Sequence, residues 1–416
     1  MDAYAWLESQ SRAMQADVTE LANQNSGSSN LPGLLAVADW LEDWMDLRHT
    51  SFERIHLPPR RMVSDGGQEL AMEAGPALRW DFQADKPRRV LLAIHYDTVF
   101  SPDDEFQCCQ WLSTDKLTGP GVADAKGGIV ILRYALQALS EFSMASEIGW
   151  TVLLNPDEEL GSPSSADLLQ AVAPEFDFGL LFEPAMPDGS LVSQRKGSGN
   201  FDIVVRGQAA HAGRHFEAGR NAVVALSRLL LQLDALNGQR PGLTVNVGSV
   251  RGGQAVNVVP DVAVGKVNVR LADRGSVHWF EQQLRDLVAM TDALEGFSCR
   301  CFGRIASPPK LITAEMQQLM SAVENSATQT GGHDVRWQST GGVCDGNKLA
   351  AAGLPNIDTL GPLGDGLHSA AEWLQTSSLV PKAQLIVNLL SRFSQGEFAE
   401  LTRPNKAHED IPQISD

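Results

Sequence analysis

Five short segments of the chain carry histidine or carboxylate groups directly after apolar runs. The first is His95-Tyr96-Asp97-Thr98-Val99. Residues two apart on an extended chain face the same way, so Asp97 can hold the His95 imidazole and fix its tautomer. The second, Gly119 to Gly128, is a glycine-flanked turn around Asp124. It lacks the GxxxxGK(S/T) spacing of a phosphate loop, and GxGxxG breaks at Asp124. Asp124 reads either as the N-cap of the helix that follows or as a carboxylate able to bridge two cations. The third, Asn155-Pro156-Asp157-Glu158-Glu159-Leu160-Gly161, has three adjacent acids that repel one another unless solvent or cations compensate them. Adjacent side chains point apart, so Glu159 can hold a metal while Glu158 faces a bound water. Glu183-Pro184 closes another apolar run. The fifth runs from Gly361 to Glu372, where Ser369 and Glu372 form an S-x-x-E capping box that predicts a helix start, with His368 just outside it.

Each segment alone has a plain explanation: a satisfied histidine at a strand end, a helix cap, a solvated acidic loop, a surface histidine. Together they make a coherent ligand set. Three carboxylates are outweighed by two divalent cations, and one hydroxide between the cations closes the balance. Mixed imidazole and carboxylate ligands suit two zinc ions, with cobalt or manganese as substitutes. The chemistry such a centre supports is hydrolysis by a metal-activated water.

These residues act together only if the fold carries them to one place. Arg89–Ile94, Gly149–Leu154 and Phe178–Phe182 are apolar runs that read as buried strands, and Ala125–Ser140 reads as a helix. Near-continuous apolar strands alternating with helices predict an α/β fold, its mainly parallel sheet covered on both faces. Ligands bind at the C-terminal edge of such sheets. Apolar periodicity predicts helices over 3–22 and 32–45. The pattern changes near Gly197. Residues 200–206, 243–250, 262–271 and 297–302 read as strands, with helices over 222–236, capped by Asn221, and 277–290. This β-α-β-β-α-β order predicts an inserted α+β ferredoxin-like domain over 197–304, interrupting a catalytic domain built from 1–196 and 305–416. After Pro308-Pro309 the alternation resumes at 313–330, 356–360 and 369–374. The polar tail beyond Thr402 is expected to fray.

The 416 residues allow two or three domains, and 43% hydrophobic against 20% charged residues is a globular composition. A formal net charge of −18 argues against nucleic acid or an anionic membrane as partner. Met1-Asp2-Ala3-Tyr4-Ala5 has no basic start followed by an apolar run, so no secretory signal is expected. No apolar stretch reaches the roughly 18 residues of a membrane span. The five cysteines, Cys108, Cys109, Cys299, Cys301 and Cys344, form no CxxC pair and point to a reducing, cytoplasmic compartment.

The segments His95 to Val99, Gly121 to Gly128, Asp157-Glu158-Glu159-x-Gly161-Ser162, Glu183-Pro184 and His368-Ser369-x-x-Glu372 resemble the di-zinc aminoacylase and carboxypeptidase family of metallopeptidases. That family includes glutamate carboxypeptidases, acetylornithine deacetylases and succinyl-diaminopimelate desuccinylases. The resemblance extends into the insertion, where Gly207 to Gly213, Gly219 to Ala222 and Asn257 to Pro260 are similar to the family's dimerisation-domain motifs. It implies that Asp124 bridges two zincs, one completed by His95 and Glu183, the other by Glu159 and His368. Glu158 is then the general base and Asp97 the carboxylate behind His95. It also implies a cis peptide after Asp124, and a homodimer in which His211 reaches the neighbouring subunit's site to stabilise the oxyanion.

By the same resemblance the substrate is a small peptide or N-acyl amino acid with a free carboxylate beside the scissile amide. Candidates to hold that carboxylate are Arg270 and Asn257, helped by the Gly341-Gly342 backbone, with Lys196 and Arg304 as further cations. Two positions depart from the glutamate-specific pattern: Asp188-Gly189-Ser190-Leu191 stands where a lysine is expected, and Cys344 stands in place of a threonine. A deacylase of biosynthetic type, a metal-binding protein without activity, and a thiol hydrolase using Cys344 are the alternative readings.

Overall fold

The computed structural model describes residues 1–331 and 334–402, so the tail expected to fray lies outside the described residues. The central sheet has the spatial order Ser51–Ile55, Ala77–Phe82, Gly149–Asn155, Arg89–His95, Phe178–Leu181, Asn356–Ile357. The last four strands run parallel, and the first two are antiparallel additions at one edge. Side chains alternate across a strand, and this divides the apolar runs between two cores. Val90, Leu92 and Ile94 face the helices Ser11–Ala22, Gly127–Glu141 and Leu379–Ser394, while Leu91 and Ala93 meet Leu169, Val172 and Leu349 on the other face. Burying each such side chain stabilises by about 1.5–3 kcal/mol, and a one-residue slip would exchange the two faces. The architecture is the α/β fold with a mainly parallel sheet that the apolar runs predict.

Two expected helices differ in detail. The helix over 3–22 is two helices, Ala3–Ser9 and Ser11–Ala22. The Ser9 hydroxyl donates to the Trp6 carbonyl at 2.6 Å, a local bond that competes with the helix ladder. The helix expected from 125 begins at Gly127, after a tight turn over Val122–Lys126 in which the Asp124–Ala125 peptide is cis.

Residues 197–307 form an antiparallel sheet in the order Thr244–Gly252, Val262–Leu271, Gly197–Arg206, Ser298–Ser307, the ferredoxin-like arrangement. Phe201, Ile203 and Val205 face the helices Ala222–Asp234 and Arg274–Asp292 through Leu226, Leu229, Phe280 and Leu284. Asn221 caps the first of these helices, accepting from Val224 N at 3.1 Å. The opposite face meets a hairpin from early in the chain, Arg60–Val63 with Glu69–Met72. Val63 packs there with Val204, Val264 and Phe302, and Arg206 donates to the Gly67 carbonyl at 2.7 Å. Gly67 sits at φ +71°, and a Cβ would come within 2.8 Å of Val204. The exposed faces of this hairpin carry no alternation that marks it as half-buried, so residues 60–72 have no assignment in the sequence reading.

Candidate active site

The predicted strand-end groups converge at the C-terminal edge of the central sheet. His95 ends its strand, and Asn155 lies beside it in register, so the chain after Asn155 is delivered next to the imidazole. Glu183 follows Phe178–Leu181, Glu158 and Glu159 lie in one turn of 3₁₀ helix, and His368 lies in the loop before Trp373–Gln375. His95 Nε2 is 3.1 Å from Asp124 Oδ1 and 3.5 Å from Glu183 Oε2. His368 Nε2 is 3.3 Å from Asp124 Oδ2 and 3.0 Å from Glu159 Oε2. The two oxygens of Asp124 thus face two different imidazoles, each accompanied by its own glutamate. One ligand atom each of His95, Asp124 and Glu159 lie within 4.8 Å of one another. The His95 side chain is fully buried, whereas that of His368 is 57% exposed, so the cluster opens to solvent on the His368 side.

The electrostatics are those of a cation site. Burial and the Asp124 charge push Glu159 up to about 7, and burial raises Glu183 against the pull of His95. Burial disfavours the ionised form of Asp124 too, but the two histidines hold it well below the ordinary carboxylate range. Its carboxylate and that of Glu159 raise His368 to about 11. Burial works to lower the His95 pKa, yet Glu183, Asp124 and Asp97 outweigh it and hold the imidazole well above its ordinary value. Carboxylates crowded in this way hold protons on both imidazoles, and divalent cations would replace those protons. The donor set fits metal.

Asp97 does more than face His95. Its Oδ1 lies 3.2 Å from His95 Nδ1 and accepts from Glu158 N at 3.1 Å. Its Oδ2 accepts from Glu159 N at 3.3 Å and from the Ser28 hydroxyl at 2.6 Å. One carboxylate therefore orients the histidine and the turn that carries both glutamates. Burial, reinforced by Glu183, raises Glu158 well above the ordinary range. Asp157, the first of the three acids, turns away and accepts from Ser164 N at 2.6 Å and Ser165 N at 3.3 Å.

Two readings of the sequence are corrected here. Asp124 does not cap the helix: Lys126 occupies the cap position, and the Asp124 carboxylate faces the histidines. The Ser369–Glu372 capping box does not form, and no helix starts there. The Ser369 hydroxyl donates to the Gly366 carbonyl at 2.7 Å, and His368 takes φ +60°. Glu372 instead reaches under the Asp124 turn, accepting from Gly121 N at 3.0 Å, Ala123 N at 2.9 Å and Asp124 N at 3.1 Å. A buried carboxylate that satisfies three backbone donors is a stronger use of Glu372 than a cap on an exposed helix.

A model of peptidase family M20/M25/M40 matches residues 91–392, a span that includes every group in this cluster. The chain belongs to that family. It is 27% identical over 382 residues to carboxypeptidase G2 of Pseudomonas sp. (strain RS-16), a match covering 91% of this chain and 88% of that protein. A probable carboxypeptidase of Aspergillus terreus is 35% identical over 201 residues, 44% of this chain and 45% of its own length. Among solved structures, an M20-family metallo-carboxypeptidase from Sulfolobus solfataricus has a TM-score of 0.73 at 15% identity, covering 92% of this chain and 99% of its own. Human carnosine dipeptidase 1 has a TM-score of 0.69 at 14% identity, covering 94% and 99%. These likenesses show the fold, and membership makes the chain a metallohydrolase of a peptidase family whose members generally bind metal ions.

The remaining candidates of this M20 chain fall into separate groups. Arg270, from the strand Val262–Leu271, reaches the Gly341 carbonyl at 3.5 Å, so Arg270 and the Gly341-Gly342 turn are brought together. Lys196 joins that turn through its backbone, which donates to the Thr340 carbonyl at 3.1 Å, while its Nζ donates to Gly242 O at 3.0 Å. Arg304 is paired with Asp167 at 2.8 Å. His211 and Asn257 lie side by side and exposed at a small two-stranded pairing, Ala210–His211 with Val258–Val259, separate from the four-stranded inserted sheet. Ala212 N donates to Asn257 O at 3.0 Å, and His211 bonds to none of the five cluster residues. Cys344 is buried, which pushes its thiol up, away from the thiolate that a nucleophile needs.

Sequence reasoning missed Arg195, Asp345 and Lys348. Asp345 Oδ2 accepts from Asn155 at 2.8 Å, and Lys348 Nζ lies 2.9 Å from Asp345 Oδ1, both buried close behind Glu158. In the sequence these are ordinary charged residues with no motif around them. Only their burial sets them apart. Among the described residues no helix is long and apolar enough to cross a membrane.

Proposed function

We propose that this M20 peptidase is a di-zinc hydrolase that cleaves an amide bond next to a free carboxylate, acting on small peptides or N-acyl amino acids. The observation that carries this reading is the division of Asp124 between two imidazole–glutamate pairs. His95 and Glu183 would hold one cation, Glu159 and His368 the other, with Asp124 between them; cobalt or manganese would serve as substitutes. Bound there, the cations supply Lewis acidity toward the scissile carbonyl and toward the attacking water.

The chain's own groups do the rest. Glu158 is the general base: its raised affinity for protons suits it to take one from the attacking water and return it to the leaving amine. Asp97 holds His95 and the Glu158–Glu159 turn in register. Arg270 and the Gly341-Gly342 turn receive the substrate carboxylate. His211 of the partner subunit, with Asn257 beside it, supplies the oxyanion contact in a homodimer built through the inserted domain, with 1–196 and 305–416 as the catalytic domain. Val224 and Leu231, seven residues apart on one helix and exposed, and the edge strand Thr244–Gly252 support that interface. Five free cysteines fit a cytoplasmic setting.

The test is mass-spectrometric detection of amino-acid release from dipeptides, N-acyl amino acids and pteroyl-glutamate. Zinc-loaded parent is compared with Glu158→Gln, which should retain zinc while losing about 100- to 10,000-fold in kcat. Turnover by the variant close to the parent's removes Glu158 as base. No release by zinc-loaded parent from any of these substrates overturns the hydrolase assignment.

A further inference from the structure

Arg195 ends the strand Leu191–Arg195, which pairs in parallel with Trp337–Thr340 and sets Arg195 opposite Thr340, one residue before the Gly341-Gly342 turn. Its side chain is 9% exposed and grips Asp358 with two nitrogens, Nε to Oδ2 at 2.9 Å and Nη2 to Oδ1 at 2.8 Å. Asp358 is fully buried, and its Oδ2 also accepts from the fully buried Lys310 Nζ at 2.6 Å. Two cations thus share one carboxylate, leaving one surplus positive charge out of water, an arrangement that is costly unless an anion offsets it. Glu183 is the next acid to feel the Arg195 charge, but it already faces His95 and belongs to the proposed metal ligands. The remaining nitrogen, Nη1, donates to the Gly342 carbonyl at 3.3 Å. From the inserted sheet Arg270 Nη1 approaches the neighbouring Gly341 carbonyl, and Arg270 has no ion-pair partner among the described residues. Two arginines from different parts of the fold hold adjacent carbonyls of one glycine turn.

We propose that Arg195 is the positioning residue of the carboxylate site: it fixes the Gly341-Gly342 turn against Arg270 and supplies the surplus positive charge that the substrate's free carboxylate offsets. Arg270 contacts the anion; Arg195 acts through the turn and through its field. Lysine replaces it only in part: it supplies the charge, but an ammonium group cannot bridge Asp358 and the Gly342 carbonyl in the planar geometry that a guanidinium allows. The inference rests on the reading that the enzyme cleaves beside a free carboxylate.

The experiment compares steady-state kinetics on an N-acyl amino acid and on the same compound with its carboxylate converted to the primary amide. Parent enzyme should prefer the acid; if it turns over neither compound, the functional reading fails before Arg195 is tested. Arg195→Met should raise KM for the acid about 10–100-fold with kcat within about threefold, and the acid-over-amide preference in kcat/KM should fall by the same factor. Arg195→Lys, which keeps the charge, should restore part of that preference. A merely structural role would shift acid and amide kinetics together and lower zinc content, and that result overturns the proposal, as does an unchanged preference. If Arg195→Met does not accumulate folded, Arg195→Lys decides alone: a severalfold rise in KM confined to the acid supports the proposal, and equal changes on both substrates refute it.

Discussion

Asp97→Asn isolates the contribution of a single oxygen. Each carboxylate oxygen of Asp97 serves two partners: Oδ1 meets His95 Nδ1 at 3.2 Å and Glu158 N at 3.1 Å, and Oδ2 meets Glu159 N at 3.3 Å and Ser28 Oγ at 2.6 Å. Asparagine keeps one acceptor and turns the other position into a donor. The less costly orientation directs the new NH2 toward Ser28, whose hydroxyl can turn and accept. Glu159 N–H is then left facing a donor. A buried donor without a partner costs about 1–3 kcal/mol, and here the strain falls on the turn that carries Glu158 and Glu159. The alternative orientation sets the NH2 against His95 Nδ1 and Glu158 N. His95 Nδ1 keeps the Asp97 main-chain carbonyl at 3.0 Å, but Glu158 N loses its acceptor and no hydroxyl there can turn to relieve it. Loss of a partner behind a metal-binding histidine typically lowers metal affinity or activity by about 10–100-fold, which agrees with that energy. Zinc affinity by chelator competition and kcat on the best substrate from the release assay are the measurements. Asp97→Asn should fall by that factor in at least one of them while remaining folded by circular dichroism. Parent-like zinc affinity together with parent-like kcat would refute the argument that Asp97 organises the turn.

Two further outcomes are expected. Removing metal with a chelator should abolish activity and lower the melting temperature, because the crowded carboxylates lose their counter-charge; at a metal concentration of about 1,000 times Kd the lost stabilisation is about 4 kcal/mol. Zinc, cobalt or manganese should restore both, and full activity in verified metal-free protein would count against the centre. Burial pushes Lys382 from 10.5 down to about 8. Its folded pKa lies below the unfolded one, so this group's contribution to stability is present above about pH 10.5 and lost as pH falls through 8, by at most about 3 kcal/mol. Lys382→Met should therefore raise the melting temperature at pH 7, with the gain vanishing near pH 10.5; a variant less stable than the parent at pH 7 contradicts the sign.

The fold was legible wherever burial is two-sided or strictly alternating. Arg89–His95 and Gly149–Asn155 are apolar because both faces of a parallel sheet are covered. Within Gly197–Arg206 the stretch from Asn200 to Ile203 alternates because Phe201 and Ile203 face the helices while Asn200 and Asp202 do not. The hairpin over 60–72 was not legible, since most of its side chains remain exposed and its one buried contact, Val63, depends on a sheet that begins well over a hundred residues later. The Ser369–Glu372 box misled for a related reason. The S-x-x-E spacing is a local signal, and three backbone amides from a turn far away in the chain compete for the same carboxylate more strongly than a helix start does.

The sequence by itself determined which groups stand at strand ends, because the apolar runs that place His95, Glu158, Glu159 and Glu183 are local patterns of residue type. It also determined the donor chemistry, imidazole with carboxylate, and the strand and helix order of the insertion. Tertiary structure decided how those groups divide. Strand order sets Asp124 between two imidazoles; a parallel pairing sets Arg195 beside the glycine turn; burial distinguishes Lys348 and Lys310 from lysines in solvent. The physical reason is range. Periodicity and capping act over a few residues and are written along the chain, whereas desolvation and pairing between charges depend on which distant segments the folded core brings within a few ångströms.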